Sequence, residues 1–242
     1  MSVADPLLRA KTYPYPIPDR SYVFDRGEAR FLGAGEPVPD LSGRLPVLAV
    51  GSNQSPEQLA RKFDDPAWGE IPVLRIELQG YDSVYSPHIA AYGAIAATLQ
   101  QAPGVTVTLF VTWLDDRQLT RMHETEVNSA NYGFGRLDGL EIDCETGPAI
   151  DHLYLYASSR GTLTRDDAPI PVAEIPARNR RWPAMTQIEV QHLVRDRLSP
   201  DADLDDFIHQ SVADADLRRQ RSDRLKNGAR PFDPPDFQAI AI

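Results

Sequence analysis

Several things are scarce in this chain of 242 residues, and each scarcity excludes a class of protein. There is one cysteine, Cys144, so no disulfide can form within the chain. A reducing, cytoplasmic setting is therefore the expectation. Positive charge is in deficit: 25 Lys and Arg face 35 Asp and Glu, a net charge of −10. That sign disfavours nucleic acid and anionic membranes as partners. No apolar run approaches the roughly 18 residues of a membrane span. Residues 1–16 contain no apolar stretch that could serve as a signal-peptide core. No internal repeat or low-complexity tract is present. The strands lack the regular helical crossovers, roughly 10–15 residues long, that build a doubly wound parallel sheet.

Three catalytic signatures are missing as well. His123-Glu124-Thr125-Glu126 lacks the second histidine of a zinc-protease helix. No Gly-x-Ser-x-Gly surrounds Ser52, so a hydrolase triad has no nucleophile elbow. Cys144 lies between Asp143 and Glu145, whose charges disfavour a thiolate.

What is present divides into three stretches expected to form one unit. Residues 1–44 are rich in proline and read as an extension lying against the body. Residues 45–160 are strand-rich. Residues 73–78 alternate as a half-buried strand does, and residues 95–100 form another candidate. Pro103-Gly104 signals a turn. Residues 105–114, VTVTLFVTWL, are the strongest strand signal, β-branched and aromatic throughout. Residues 152–157 add a further strand. Residues 161–242 combine an irregular proline-bearing segment with two helices, near 183–198 and 204–227. The expected fold is α+β, with a mixed sheet closing into a small β-barrel and helices around it.

The most informative stretch is Val50-Gly51-Ser52-Asn53. It follows an apolar strand at residues 45–50. It precedes a helix start, with Ser55 as N-cap, Pro56 at the first helical position and Gln58 completing a capping box. Such a turn gathers backbone N–H groups at one point, a site for a carboxylate or a phosphate. No lysine follows it as a phosphate loop requires.

The second informative position lies on a helix that Asp115 can cap, with Gln118 three residues on. Leu119, Met122 and Glu126 share one face at 3.6-residue spacing, and that face is the apolar one. Glu126 therefore projects where an apolar residue is expected. Two readings stay open: a desolvated carboxylate with a raised pKa, usable as a base, or a last-turn side chain that swings into solvent. Further on, Asn131-Tyr132-Gly133-Phe134-Gly135-Arg136 either brings Tyr132 and Arg136 to a pocket or is a turn entering a strand. Arg178, Arg180 and Arg181 form a basic cluster that reads as an intramolecular ion-pair site or an anion clamp.

Taken in order, these residues resemble the gamma-glutamylcyclotransferase-like family, including its AIG2-like members. The resemblance rests on the Gly51-Ser52-Asn53 turn after the first strand, Ala97-Thr98-Leu99, and Pro103-Gly104 with Val107 behind it. It ends on Leu119, Met122 and Glu126, the last 73 positions after Asn53. It covers residues 45–160. Val50 stands where that family has a tyrosine, Leu109 where it usually has glycine, and Thr112 where it often has tyrosine.

The resemblance implies a small mixed barrel and an intramolecular reaction. The α-amine of a γ-glutamyl group attacks its own γ-carbonyl, giving 5-oxoproline and a free amine. It implies Glu126 as acid/base. It implies Val50, Gly51, Ser52 and Asn53 around the substrate carboxylate or carbonyl; Tyr132 and Arg136 are candidates for further lining on their own position after the helix. It implies no metal, no cofactor, and a small-molecule partner carrying a free carboxylate and amine. A binding module without catalysis on the same fold is the alternative.

Overall fold

The computed structural model describes residues 5–33, 36–126 and 131–242. Along the N-terminal half run helix α1 (Pro6–Lys11), strands β1 (Tyr22–Asp25), β2 (Glu28–Phe31) and β3 (Leu45–Ala49), and helix α2 (Pro56–Lys62). Then come the long strands β4 (Ile71–Ile89) and β5 (Ile95–Leu114), helix α3 (Asp116–Glu126), and strands β6 (Tyr132–Asp138), β7 (Ile142–Cys144) and β8 (His152–Ser158). Short strands β9 (Thr164–Arg165), β10 (Ala168–Pro169) and β11 (Ala177–Arg178) lead to helices α4 (Gln187–Leu198), α5 (Leu204–Ala213) and α6 (Ala215–Lys226). Strand β12 (Phe237–Ala239) ends the series. No helix among the described residues is long and apolar enough to cross a membrane.

The architecture is mixed α+β, but the sheet is not the closed barrel that the sequence led us to expect. Its main path runs β12-β6-β8-β3-β5-β4-β1-β2, with two free ends. The N-terminal segment is the physical reason. Read in the sequence as a proline-rich extension lying against the body, it does more than that: Tyr22–Asp25 and Glu28–Phe31 form a hairpin that pairs with β4. That hairpin takes one edge, and β12 takes the other by pairing with β6. The edges are capped rather than joined.

The two long strands replace three expected shorter ones. Pro103-Gly104 is not a turn between strands; β5 runs through it as a bulge. Tyr81 pairs with Gln101 and Gln79 with Thr106, so Ala102 to Val105 are inserted opposite Gly80, with Pro103 and Gly104 exposed and Ala102 and Val105 buried. Gly104 adopts a φ of +86°, which permits the excursion without strain. Alternation along β5 feeds two cores. Leu109, Val111 and Trp113 enter the larger cluster, while Phe110 and Leu114 enter a smaller one with Leu59, Phe63 and Met122. Leu109 and Thr112 are thus structural. Leu109 is fully buried, and Thr112 Oγ1 donates to the Val47 carbonyl at 3.0 Å.

The C-terminal helices differ from expectation in one respect. The helix foreseen over 204–227 is two, because Asp214 interrupts it and caps α6, accepting from the N–H groups of Asp216 and Leu217 at 2.9 and 3.0 Å. α3 starts as read: the Gln118 N–H donates to Asp115 Oδ1 at 2.8 Å, and the Asp115 N–H donates back to Gln118 Oε1 at 3.1 Å.

Candidate active site

One pairing decides where a site can form. β3 and β8 run parallel, with Val47 beside Tyr154 and Leu48 beside Leu155. Their carboxyl ends therefore open at the same end of the sheet, the usual place for a ligand between parallel strands. The Gly51-Ser52-Asn53 turn leaves β3 there, and Arg160 follows β8. β6 begins there too, since Tyr132 pairs with Ser158. Tyr92, in the turn between β4 and β5, also reaches this end. A cavity of about 790 Å³ lies among them, of a size for a small molecule.

The turn is tightly held. Ser83 Oγ donates to the Val50 carbonyl at 2.6 Å, Tyr22 Oη to the Gln54 carbonyl at 2.9 Å, and Gln54 Nε2 to the Gly51 carbonyl at 3.1 Å. The first bond inside the turn runs from the Gln54 N–H to the Gly51 carbonyl at 3.2 Å, so the N–H groups of Ser52 and Asn53 precede it. Pro56 opens α2 as expected, but the capping box does not form. Ser55 Oγ is buried with no hydrogen-bond partner among the described residues. Gln58 lines the cavity instead and accepts from Arg61 Nη1 at 3.3 Å.

Gly51 has no room for a side chain. A Cβ there would lie 2.2 Å from Tyr13 Oη and 3.1 Å from Ala97 Cβ. Tyr13 cannot move away freely, because it is buried and its Oη accepts from the Ala97 N–H at 2.8 Å. Gly51→Ala is expected to cost roughly 1–3 kcal/mol, the range for overpacking. Urea denaturation checks this, and binding at the turn is expected to fall with it.

Glu126 occupies the last position of α3, on the face that buries Met122. Its carboxylate neither lies in free solvent nor titrates upward as the apolar face implied. Oε1 accepts from Asn53 Nδ2 at 3.0 Å and from Lys62 Nζ in a close ion pair. Lys62 is 7% exposed and Glu126 19%, its side chain open toward the cavity. Burial by itself pushes the carboxyl up. The Lys62 ammonium and the Asn53 amide outweigh it and hold Glu126 below the ordinary glutamate value.

Sequence reasoning missed Lys62. It ends the same short helix that begins beside the turn, four positions after Gln58, so one face of α2 brings both to the cavity. That i, i+4 pair was the available signal.

Three further groups were missed. Tyr13, from the N-terminal segment, sets its hydroxyl against Gly51. Tyr92 lies in the cavity near Ser52 and Glu126. His88 belongs to a chain of contacts along one wall. Arg160 donates from Nη1 to Asp223 at 2.8 Å and from Nε to Asn131 Oδ1 at 2.6 Å. That bond orients the amide, so Asn131 Nδ2 donates to His88 Nε2 at 3.0 Å, and the His88 proton sits on Nδ1. Burial, then the Arg160 and Arg218 charges, bring His88 down to about 4, so its ring is neutral at physiological pH. Burial also holds the phenols of Tyr13, Tyr92 and Tyr132 well above their ordinary range, and all three are hydroxyls there.

Of the residues singled out in the sequence, Val50, Gly51, Ser52, Asn53, Glu126 and Tyr132 line this cavity. Tyr132 Oη donates to the Ala97 carbonyl at 3.0 Å. The stretch from Tyr132 is itself a strand rather than a turn; Arg136 shares the face of Tyr132 but lies four residues further along β6, opposite Tyr154 and away from the cavity end. Arg136 pairs with Asp138 and does not line the cavity. Arg178 and Arg180 are also elsewhere, in ion pairs with Glu77 and Asp82. Burial and the Asp143 charge push the Cys144 thiol up, away from a reactive thiolate.

Fold and site together define a mixed α+β protein. Its open sheet carries, at the carboxyl end of one parallel pair, a cavity with a Gly-Ser-Asn turn bonded to a carboxylate–ammonium pair. No family model and no curated protein matches this chain. Among solved structures it is similar to a gamma-glutamyl cyclotransferase, at 19% identity and a TM-score of 0.39, over 54% of this chain and 72% of that one. It is also similar to an uncharacterized protein from Homo sapiens, at 18% identity and a TM-score of 0.41, over 55% of this chain and 73% of that one.

Proposed function

We propose that the chain is an enzyme that cyclises a γ-glutamyl amine, or a related small amide, to 5-oxoproline with release of the amine. The observation that carries this reading is the bond from Asn53 to Glu126, which ties the turn and a carboxylate into one cavity. The N–H groups of the turn receive the substrate α-carboxylate. The α-ammonium then lies beside Glu126, which takes its proton. The freed amine attacks the γ-carbonyl carbon; a new C–N bond forms and the original amide C–N bond breaks. Glu126 returns the proton to the departing amine nitrogen, and the second proton left on the new ring nitrogen passes to the freed amine, which leaves as an ammonium. Because the nucleophile is tethered to its target, orientation and one acid/base group suffice.

Lys62 has a defined part in this scheme. It keeps Glu126 unprotonated at neutral pH, the state a base requires. Tyr13 Oη, against Gly51, supplies a hydroxyl beside the turn although Val50 does not. The same Lys62 contact favours the alternative, a binding module, because the carboxylate charge is already matched without substrate. Incubation with a panel of γ-glutamyl amides, assayed for 5-oxoproline, separates the two. Product that vanishes in Glu126→Gln supports the enzyme. No product from any member, with ligand-dependent thermal stabilisation intact, supports the module.

A further inference from the structure

The cavity carries more positive charge than this reaction uses. Six basic side chains line it against two acidic ones, Glu124 and Glu126, in a protein whose net charge is −10. Four of the six have a carboxylate partner: Lys62 with Glu126, Arg61 with Glu57, Arg160 with Asp223 and Arg219 with Asp216. Arg9 and Arg218 have none within ion-pair distance among the described residues, and none of residues 1–4, 34–35 and 127–130 is acidic.

Both guanidiniums are nevertheless anchored, by neutral groups. Arg9 lies over the Tyr92 ring, 4.6 Å from its centre, and its buried Nε has no hydrogen-bond partner among the described residues. Arg218 Nη1 donates to the carbonyls of Ser211 and Val212 at 2.7 and 3.3 Å. Such anchors fix position without cancelling charge. The two come from α1 and α6, elements outside residues 45–160, and both line the cavity; Ala10, next to Arg9, and Val212, whose carbonyl Arg218 holds, both abut Gly93. Tyr92 links Arg9 to the neighbourhood of Ser52, and Arg218 acts on His88.

We infer that Arg9 and Arg218 form a second anion subsite of the cavity, and that it holds a dianionic group on the departing half of the substrate. The group is a phosphate monoester or a pair of carboxylates. Guanidinium suits both, through forked N–H donors. The words "departing half" rest on the cyclisation reading; the subsite itself does not. A neutral amine would leave both guanidiniums facing the ligand without a counter-charge.

The test compares four γ-glutamyl amides: those of ethylamine, glycine, aspartate and phosphoethanolamine. Binding to the Glu126→Gln protein is measured by calorimetry, and turnover on the wild type. The two dianionic amides are expected to bind at least tenfold tighter than the ethylamide, with a steep loss in salt. The tighter of the two identifies the source of the dianion. Arg9→Gln and Arg218→Gln are expected to bring that ratio near one. Arg218→Lys, which keeps the charge, retains part of it and controls for misfolding. Dianion-selective binding without any 5-oxoproline upholds the subsite and refutes cyclisation. Cyclisation of all four amides at equal efficiency refutes the subsite and upholds cyclisation. Equal binding of the four amides, or selectivity unchanged in both arginine variants, also overturns the subsite.

Discussion

Glu126→Gln is expected to lower 5-oxoproline release by about 10²–10⁴-fold, the usual contribution of a positioned acid/base group. The substitution is close to isosteric. The new amide can still present its oxygen to Asn53 Nδ2 and Lys62 Nζ, both donors, so the turn keeps its contact. What is lost is the ability to accept and return a proton. The effect is therefore expected mainly in kcat rather than KM. Glu126→Asp supplies the contrast. It keeps the charge but draws the carboxylate back by one methylene, away from Asn53 and from the incoming ammonium. Displacement of about 1 Å at such a group costs on the order of 10²-fold. Steady-state kinetics on one γ-glutamyl amide measures both variants.

Lys62→Met is expected to have the largest effect on stability. Removing one partner of a buried pair leaves an uncompensated charge and costs roughly 3–5 kcal/mol. The opening of Glu126 to the cavity places the expected loss near the lower end, about 3 kcal/mol. The pH dependence has a definite sign. In the native protein the Glu126 carboxyl lies below its ordinary value, so the pair stabilises the fold above the unfolded glutamate value. That contribution disappears as pH falls through the depressed value. Without Lys62, burial remains as the largest influence and pushes the carboxyl upward. The stability difference between wild type and Lys62→Met is thus expected to be greatest at pH 7 and to shrink toward pH 3. Urea denaturation across that range reads it directly. The acidic limb of the activity profile is expected to move to higher pH in the variant.

The same two residues show what the sequence could convey. The apolar run into Gly51, with Pro56 after it, specified strand, turn and helix through local preferences alone, and these formed. Asp115 and Gln118 likewise marked the start of α3. The spacing of Leu119, Met122 and Glu126 put the carboxylate on a buried face. Its titration was not legible, because it depends on Lys62, which meets it from another helix. A sequence pattern supplies the desolvation and not the counter-charge.

The missed elements share that cause. β1 forms where prolines are dense because its partner, β4, lies some 50 residues away; Tyr22 pairs with Val73. Pro103-Gly104 reads locally as a turn, but continuous pairing of β4 with β5 on both sides absorbs it as a bulge. Closure into a barrel could not be judged from strand content, since it depends on what occupies the sheet edges. Arg136 was placed by its neighbours in sequence, whereas the extended strand carries it four residues beyond Tyr132 to a position beside Asp138.

The central claim is that a tethered amine, not water, attacks the γ-carbonyl. The most direct test runs the reaction in heavy-oxygen water and analyses the products by mass spectrometry. The account predicts 5-oxoproline without solvent oxygen, formed in equal amount with the free amine. Glutamate carrying one solvent oxygen would show hydrolysis instead and contradict it.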